Sequence, residues 1–185
     1  CLVLGDQLNL DSELWQTVDP EQDQVWMAEV LDESQAVASS KMRTWLFFSA
    51  MRQFANTIQS KNYRVDYHSI REGLSDFSVA LEQAIQHWQP QAIQCVLPGD
   101  ERVRQLLEQT AKQHELKIHW LPDRHFIAEP GEFTKWMANK KQPRMEYWYR
   151  YLRKKHGILM DAENQPIGGA WNFDKENRKT FGKAG

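Results

Sequence analysis

Chemistry could first sit in the four residues that follow the opening apolar run. Cys1-Leu2-Val3-Leu4 reads as a buried strand, and Gly5-Asp6-Gln7-Leu8 turns directly out of it. Gly5 permits close backbone approach or a positive φ, Asp6 brings a carboxylate acceptor, and Gln7 brings an amide that both donates and accepts. A second extended run, Gln24 to Val30, contains Glu29, and Glu33 lies four residues further on. Those two carboxylates are not an acid–base pair: a strand end separates them and no partner base accompanies them. They suit the role of acceptors for a ligand's hydrogen-bond donors. A competing reading makes Asp6 a cap for the segment after it and Gln7 a solvated amide.

Other chemistries are disfavoured by their missing motifs. The sequence has no Gly-x-Gly-x-x-Gly fingerprint, no Gly-Lys-Ser/Thr phosphate loop and no Gly-x-Ser-x-Gly elbow. Its six histidines are scattered at 68, 87, 114, 119, 125 and 156 with no His-x-x-x-His pair, so surface or interface histidines are expected and no metal site. Cys1 and Cys95 stand apart in apolar surroundings, which fits a reducing cytoplasm rather than a disulfide framework.

Charge divides the chain. Residues 1–128 hold 11 Lys+Arg against 18 Asp+Glu, and residues 129–185 hold 12 against 7, so a net of −2 is the sum of −7 and +5. The densest stretch, Lys135 to Lys155, carries eight bases against the single acid Glu146. From Met145 to Lys155 aromatics and bases interleave, a pattern in which rings stack on nucleobases while Arg150, Arg153 and Lys154 meet phosphates. The other reading is an amphipathic helix docked on a further part of the protein, its basic face solvated.

These residues must be positioned by an α/β layer. With 185 residues, 41% hydrophobic and 26% charged, the chain lacks both the long apolar stretch of a membrane helix and the poverty of apolar residues that marks disorder. Strand-like runs at 1–4, 24–30, 63–68, 92–97 and 116–121 alternate with helical ones. A helix is expected over 41–59, with Phe47, Met51, Phe54 and Ile58 on one face, and another is expected to begin at a Ser75 cap. A third follows Pro98-Gly99-Asp100. Alternation with short turns implies a doubly wound, five-stranded parallel sheet. Residues 1–128 form this domain, and 129–185 form a basic helical connector with helices over 131–139 and 143–156. A chain that starts at Cys1 and stops in Phe181-Gly182-Lys183-Ala184-Gly185 reads as part of something longer.

Four blocks also carry a family resemblance. Leu4-Gly5-Asp6-Gln7-Leu8, Phe48-Ser49-Ala50-Met51-Arg52-Gln53-Phe54, Met145-Glu146-Tyr147-Trp148-Tyr149-Arg150 and Gly168-Gly169-Ala170-Trp171-Asn172-Phe173-Asp174-Lys175-Glu176-Asn177-Arg178 resemble the photolyase-related proteins. Within them the likeness is to the bacterial iron–sulfur cryptochromes and photolyases, including prokaryotic (6-4) photolyases. The resemblance implies an amino-terminal Rossmann-like antenna domain, able to hold 6,7-dimethyl-8-ribityllumazine, with FAD and a 4Fe-4S cluster in a carboxyl-terminal part that nothing here matches. It implies that Gly5, Asp6, Gln7, Leu8, Glu29 and Glu33 line the lumazine site and that Phe47 and Phe48 face its ring. A side chain as large as Phe47 is expected to narrow that pocket. It further implies DNA contacts near Asn177, Arg178 and Lys179, with Arg178 on a phosphate or the lesion. The whole protein would be a monomeric lyase acting on damaged DNA, and the chain alone would be inactive, with no catalytic residue. Two rivals share these residues: a cryptochrome-like light sensor without repair, and a stand-alone nucleotide- or flavin-binding module with a basic tail.

Overall fold

Two faces of alternating side chains explain the central layer. The computed structural model describes residues 1–35 and 39–174. Its strands are Val25–Ala28 (β1), Val65–His68 (β2), Ile93–Val96 (β3) and Ile118–Leu121 (β4). β1 pairs in parallel with β2, Val25 opposite Val65 and Ala28 opposite His68; β3 pairs in parallel with β4, Ile93 opposite Ile118 and Val96 opposite Leu121. Along the chain, Leu2, Leu4, Trp26 and Ala28 pack into one core while Val3, Val25 and Met27 pack into another, so successive side chains point to opposite buried faces.

The expected five-stranded sheet does not form as one continuous ladder. Among the described residues there are two two-stranded ladders, and Cys1–Leu4 joins them at Leu2, which bridges both Trp26 and Cys95. Leu2 N–H donates to Gln94 O at 2.8 Å, Val3 N–H to Trp26 O at 3.1 Å and Trp26 N–H to Cys1 O at 2.8 Å. Pairing stops there because Leu4 N–H turns to the Gln7 side chain, 3.3 Å away, instead of a neighbouring backbone. The Gly5 turn has begun before a ladder can propagate.

Helices cover both faces. Leu14–Thr17 (α1) and Lys41–Ser60 (α3) supply Leu14, Phe48, Met51, Phe54 and Ile58 to the Val3 face. Phe77–Trp88 (α4) and Glu101–Gln113 (α5) supply Phe77, Leu81, Val103 and Leu107 to the Leu2 face. Leu31–Gln35 (α2) is a short helix after β1. α4 is capped by Asp76 rather than by Ser75: its carboxylate accepts from the Ser78 and Val79 N–H groups at 2.8 and 3.1 Å. A carboxylate at a helix N-terminus also meets the positive end of the dipole, which a serine does not. None of the helices is long and apolar enough to cross a membrane among the described residues.

β2 is held at its far end by His68. Its Nδ1 bonds Glu72 Oε2 at 2.6 Å and its Nε2 lies 3.2 Å from Asp66 Oδ2, which also accepts from Trp88 Nε1 at 2.7 Å. Burial alone would lower the imidazole's affinity for a proton, but the hydrogen bonds and charges of the two carboxylates outweigh it, so its pKa lies above the ordinary 6.5. A raised folded-state value means that this stabilisation is full below about pH 6.5 and is lost as pH rises through the folded value. The melting temperature of the wild type is therefore expected to fall over pH 6 to 9 more than that of His68→Gln. Parallel curves would remove His68 from this role.

Contacts separate Cys1–Arg124 from His125–Gly185. In the second unit, Glu132–Met137 (α6) and Met145–His156 (α7) share an aromatic cluster in which Trp148 stacks on Tyr151 at 5.3 Å and meets Phe133 edge-on at 5.2 Å. Trp148 is buried and Tyr147 exposed. Lys155 Nζ donates to Glu132 Oε1 at 2.7 Å, tying the two helices together.

Candidate functional site

Helices change face after β2, and ligands in such layers bind beyond the carboxyl ends of the strands, where connections diverge. A cavity of about 160 Å³ lies there, between the ends of Cys1–Leu4, β1 and β3. Leu4, Phe48, Met51, Phe77 and Val103 supply its apolar wall; Gly5, Asp6, Glu29, Glu33, Phe47 and Asp100 also line it. A void near 150 Å³ accommodates about one benzene-sized ring.

The two glutamates differ in environment. Glu29 is fully buried and all its acceptors are used inside the protein. Its Oε1 accepts from Arg52 Nε at 2.6 Å and Tyr67 Oη at 2.5 Å, and its Oε2 from Arg52 Nη2 at 2.8 Å and the Ile70 N–H at 2.8 Å. Burial would push its pKa up, but these bonds and the Arg52 charge hold it below the ordinary carboxylate value. In turn, burial and the Glu29 carboxylate push the Tyr67 phenol up. Glu33 is exposed at the mouth, its carboxyl shifted upward by desolvation and by the charges of Asp100, Asp6 and Asp32, against the opposing effect of Arg102. Arg102 is itself paired with Asp100 at 2.6 Å.

Gln7 and Leu8 are not among the cavity's lining residues. Gln7 is buried, donating from Nε2 to Val96 O at 2.8 Å while its Oε1 accepts from Leu4 N–H at 3.3 Å. It stitches the turn to the end of β3, across a gap of 89 residues. Leu8 packs against the core on the Val3 face. Phe48 is buried, whereas Phe47 is partly exposed with its ring against Gly5. Sequence reasoning missed Met51, Phe77, Asp100 and Val103 as cavity residues, and Arg52 and Tyr67 as holders of Glu29. Only Arg52 had a signal, as the lone cation in the Phe48–Phe54 block.

The basic residues do not form a uniform outward stripe. Arg153 is buried, with Nε donating to Ile158 O at 3.0 Å and Nη2 to Leu159 O at 2.5 Å. Arg150 pairs with Glu146 one turn back. Arg150, Arg153 and Lys154 lie 5.3, 5.3 and 5.5 Å from the Trp171 ring centroid, so three cations on one face of α7 hold that indole. Asn177, Arg178 and Lys179 lie outside the described residues.

The family model for deoxyribodipyrimidine photo-lyase-related proteins matches residues 1–184. A (6-4) photolyase of Agrobacterium fabrum is 38% identical over 180 residues, which is 96% of this chain but 35% of that protein. An uncharacterised protein of Acanthamoeba polyphaga mimivirus is 24% identical over 137 residues, 72% of this chain and 68% of its own length. The chain thus spans about a third of the photolyase it matches.

Proposed function

The chain belongs to the deoxyribodipyrimidine photo-lyase-related proteins, and on that premise we propose that it is the amino-terminal part of a flavoprotein that repairs (6-4) pyrimidine lesions in DNA with light. The observation that carries this is 38% identity to a (6-4) photolyase, sustained over 96% of the chain rather than confined to one motif. FAD and a 4Fe-4S cluster belong, in this reading, to sequence beyond the matched third. FAD bound there would supply light-driven electron transfer to a lesion and take the electron back, with no net oxidation or reduction.

This chain's own contribution is an antenna-type α/β unit and a basic unit facing DNA. The cavity beyond the strand ends offers the apolar wall and polar edge that a flat lumazine needs. It does not offer the volume: sites for ligands of that size run from about 300 to 1,000 Å³, against about 160 Å³ here. Gly5, Phe47, Phe48 and Glu33 would touch such a ring, and Glu29 would shape the wall through Arg52 and Tyr67.

A full-length protein carrying this chain is expected to restore a (6-4) lesion in a defined oligonucleotide under blue light and not in the dark. Its spectrum should combine flavin and iron–sulfur absorbance. Light-dependent flavin reduction without lesion loss would reassign it to light sensing, and a spectrum without flavin would overturn the proposal.

A further inference from the structure

A second concavity of the first unit, about 440 Å³, lies between α3 and β2. Two stripes of α3 account for it. Phe48, Met51, Phe54 and Ile58 enter the core, while Arg52, Asn56 and Gln59, spaced i, i+4 and i+7, are exposed and line the groove. Buried Ala55 and partly buried Val65 and Tyr67 supply its apolar part. Arg71, just beyond β2, also lines it. Its side chain is exposed and has no hydrogen-bond or ion-pair partner among the described residues. Arg52 spends Nε and Nη2 on Glu29, which leaves Nη1 for a ligand, and its side chain is 48% exposed. Fully buried Glu29 fixes that fork in place, so an anion meeting it orders little further. Because Glu29 also offsets the Arg52 charge, Arg71 carries the net attraction.

We propose that this groove binds a small phosphate monoester, a phosphorylated nucleoside or sugar. Arg71 and the free edge of Arg52 take the phosphate, a group that the guanidinium fork matches. The groove is far larger than an anion alone needs and falls within the range of about 300–1,000 Å³ typical of small-molecule sites. Asn56 and Gln59 bring amides that both donate and accept, which suits a body of hydroxyls or ring nitrogens joined to that phosphate. A nucleic-acid backbone fits less well. Residues 1–128 hold 11 Lys+Arg against 18 Asp+Glu, a field that repels a long polyanion, whereas one phosphate is held by charges within a Debye length. The site shares no step with light-driven repair and does not rest on that reading.

The test titrates adenosine 5′-monophosphate, ribose 5-phosphate, inorganic phosphate and adenosine separately into the ¹⁵N-labelled 185-residue chain at constant ionic strength, with amide shifts as readout. Both esters are expected to move amides within residues 52–59 and 65–71, more tightly than inorganic phosphate, and adenosine is expected to leave them in place. Arg71→Ala should weaken ester binding at least about ten-fold, the low end for losing a hydrogen bond from a charged donor, with the melting temperature unchanged. Arg43→Ala, an exposed cation nine residues before Arg52 on the same helix, should bind like wild type. No shift at these residues with either ester overturns the proposal, as does ester binding indifferent to Arg71→Ala. Inorganic phosphate binding as tightly as the esters would reduce the groove to an anion patch and overturn the ligand class. Shifts there from a thymidine oligonucleotide but from neither ester would make it a DNA contact instead. None of these outcomes bears on lesion repair, so the two readings fail separately.

Discussion

Replacing Arg52 with alanine should lower the stability of the first unit by about 3 kcal/mol at neutral pH, the low end of what removing one partner of a buried ion pair costs. The figure sits at that end because the Arg52 side chain is 48% exposed, so water can partly replace it, whereas Glu29 is at 0% and has nowhere to turn. With the guanidinium gone, Tyr67 and the Ile70 N–H still bond the carboxylate, but burial is no longer opposed by a full positive charge. The sign with pH follows. In the wild type, the Glu29 pKa is held below the ordinary 4.5. Its contribution is therefore present above that value and lost as pH falls through the folded one. In Arg52→Ala, burial raises the folded pKa, so the variant loses stability as pH rises. The gap between the two proteins should widen from pH 4 to pH 7 in urea unfolding. A gap independent of pH would mean that Arg52 acts through its aliphatic stem alone. A Glu29→Leu, Arg52→Leu pair should recover much of the loss, since two apolar side chains carry no buried charge.

That pair also shows where the sequence stopped being legible. Glu29 could be placed beside a crevice because it ends a strand run, and the crevice is where alternating strands and helices put it. Its role was not readable, because its partners are 23 and 38 residues away in the chain and meet it only once α3 and β2 are packed. Gln7 is expected to line the ligand site, but its amide is taken up inside the protein, because Val96 O arrives to accept from it from 89 residues on. Local signals fared better. The Phe47, Met51, Phe54 and Ile58 spacing predicts a helix over 41–59, and α3 runs from Lys41 to Ser60. The expected Ser75 cap is off by one residue: Asp76 beside it takes the Ser78 and Val79 N–H groups, and its charge meets the helix terminus. The single sheet failed at its shortest run, where one side chain captured a backbone donor. Phe47 presents the opposite case: its bulk was visible, but not that its ring would settle on Gly5.

Arg153 and Lys154 are neighbours in sequence with the same charge, and they should respond very differently to truncation. Arg153 is 6% exposed and bonds two carbonyls of the turn that follows α7, with its guanidinium also 5.4 Å from the Tyr149 ring centroid. Hydrogen bonds from a charged donor are worth about 1.5–3 kcal/mol each. Because Ile158 and Leu159 are exposed and water can take over their carbonyls, Arg153→Ala should cost the second unit about 3 kcal/mol rather than the full sum. Arg153→Lys should rescue little, since an ammonium cannot present the planar fork that reaches both oxygens. Lys154 is exposed, and its loss removes one of three cations near Trp171. Its truncation should leave folding within about 0.5 kcal/mol of wild type. Hydrogen exchange across residues 145–170, with near-ultraviolet circular dichroism for the Trp171 environment, reads both. If a full-length protein binds DNA as proposed, the contrast should invert there. Lys154→Ala should reduce the slope of log affinity against log salt by up to one phosphate contact, whereas Arg153→Lys should leave that slope unchanged while weakening protection of the turn. Were Arg153→Lys to flatten the salt dependence and preserve the turn, Arg153 would be a phosphate ligand after all, and the eight-base stretch would be the outward stripe that its composition suggests.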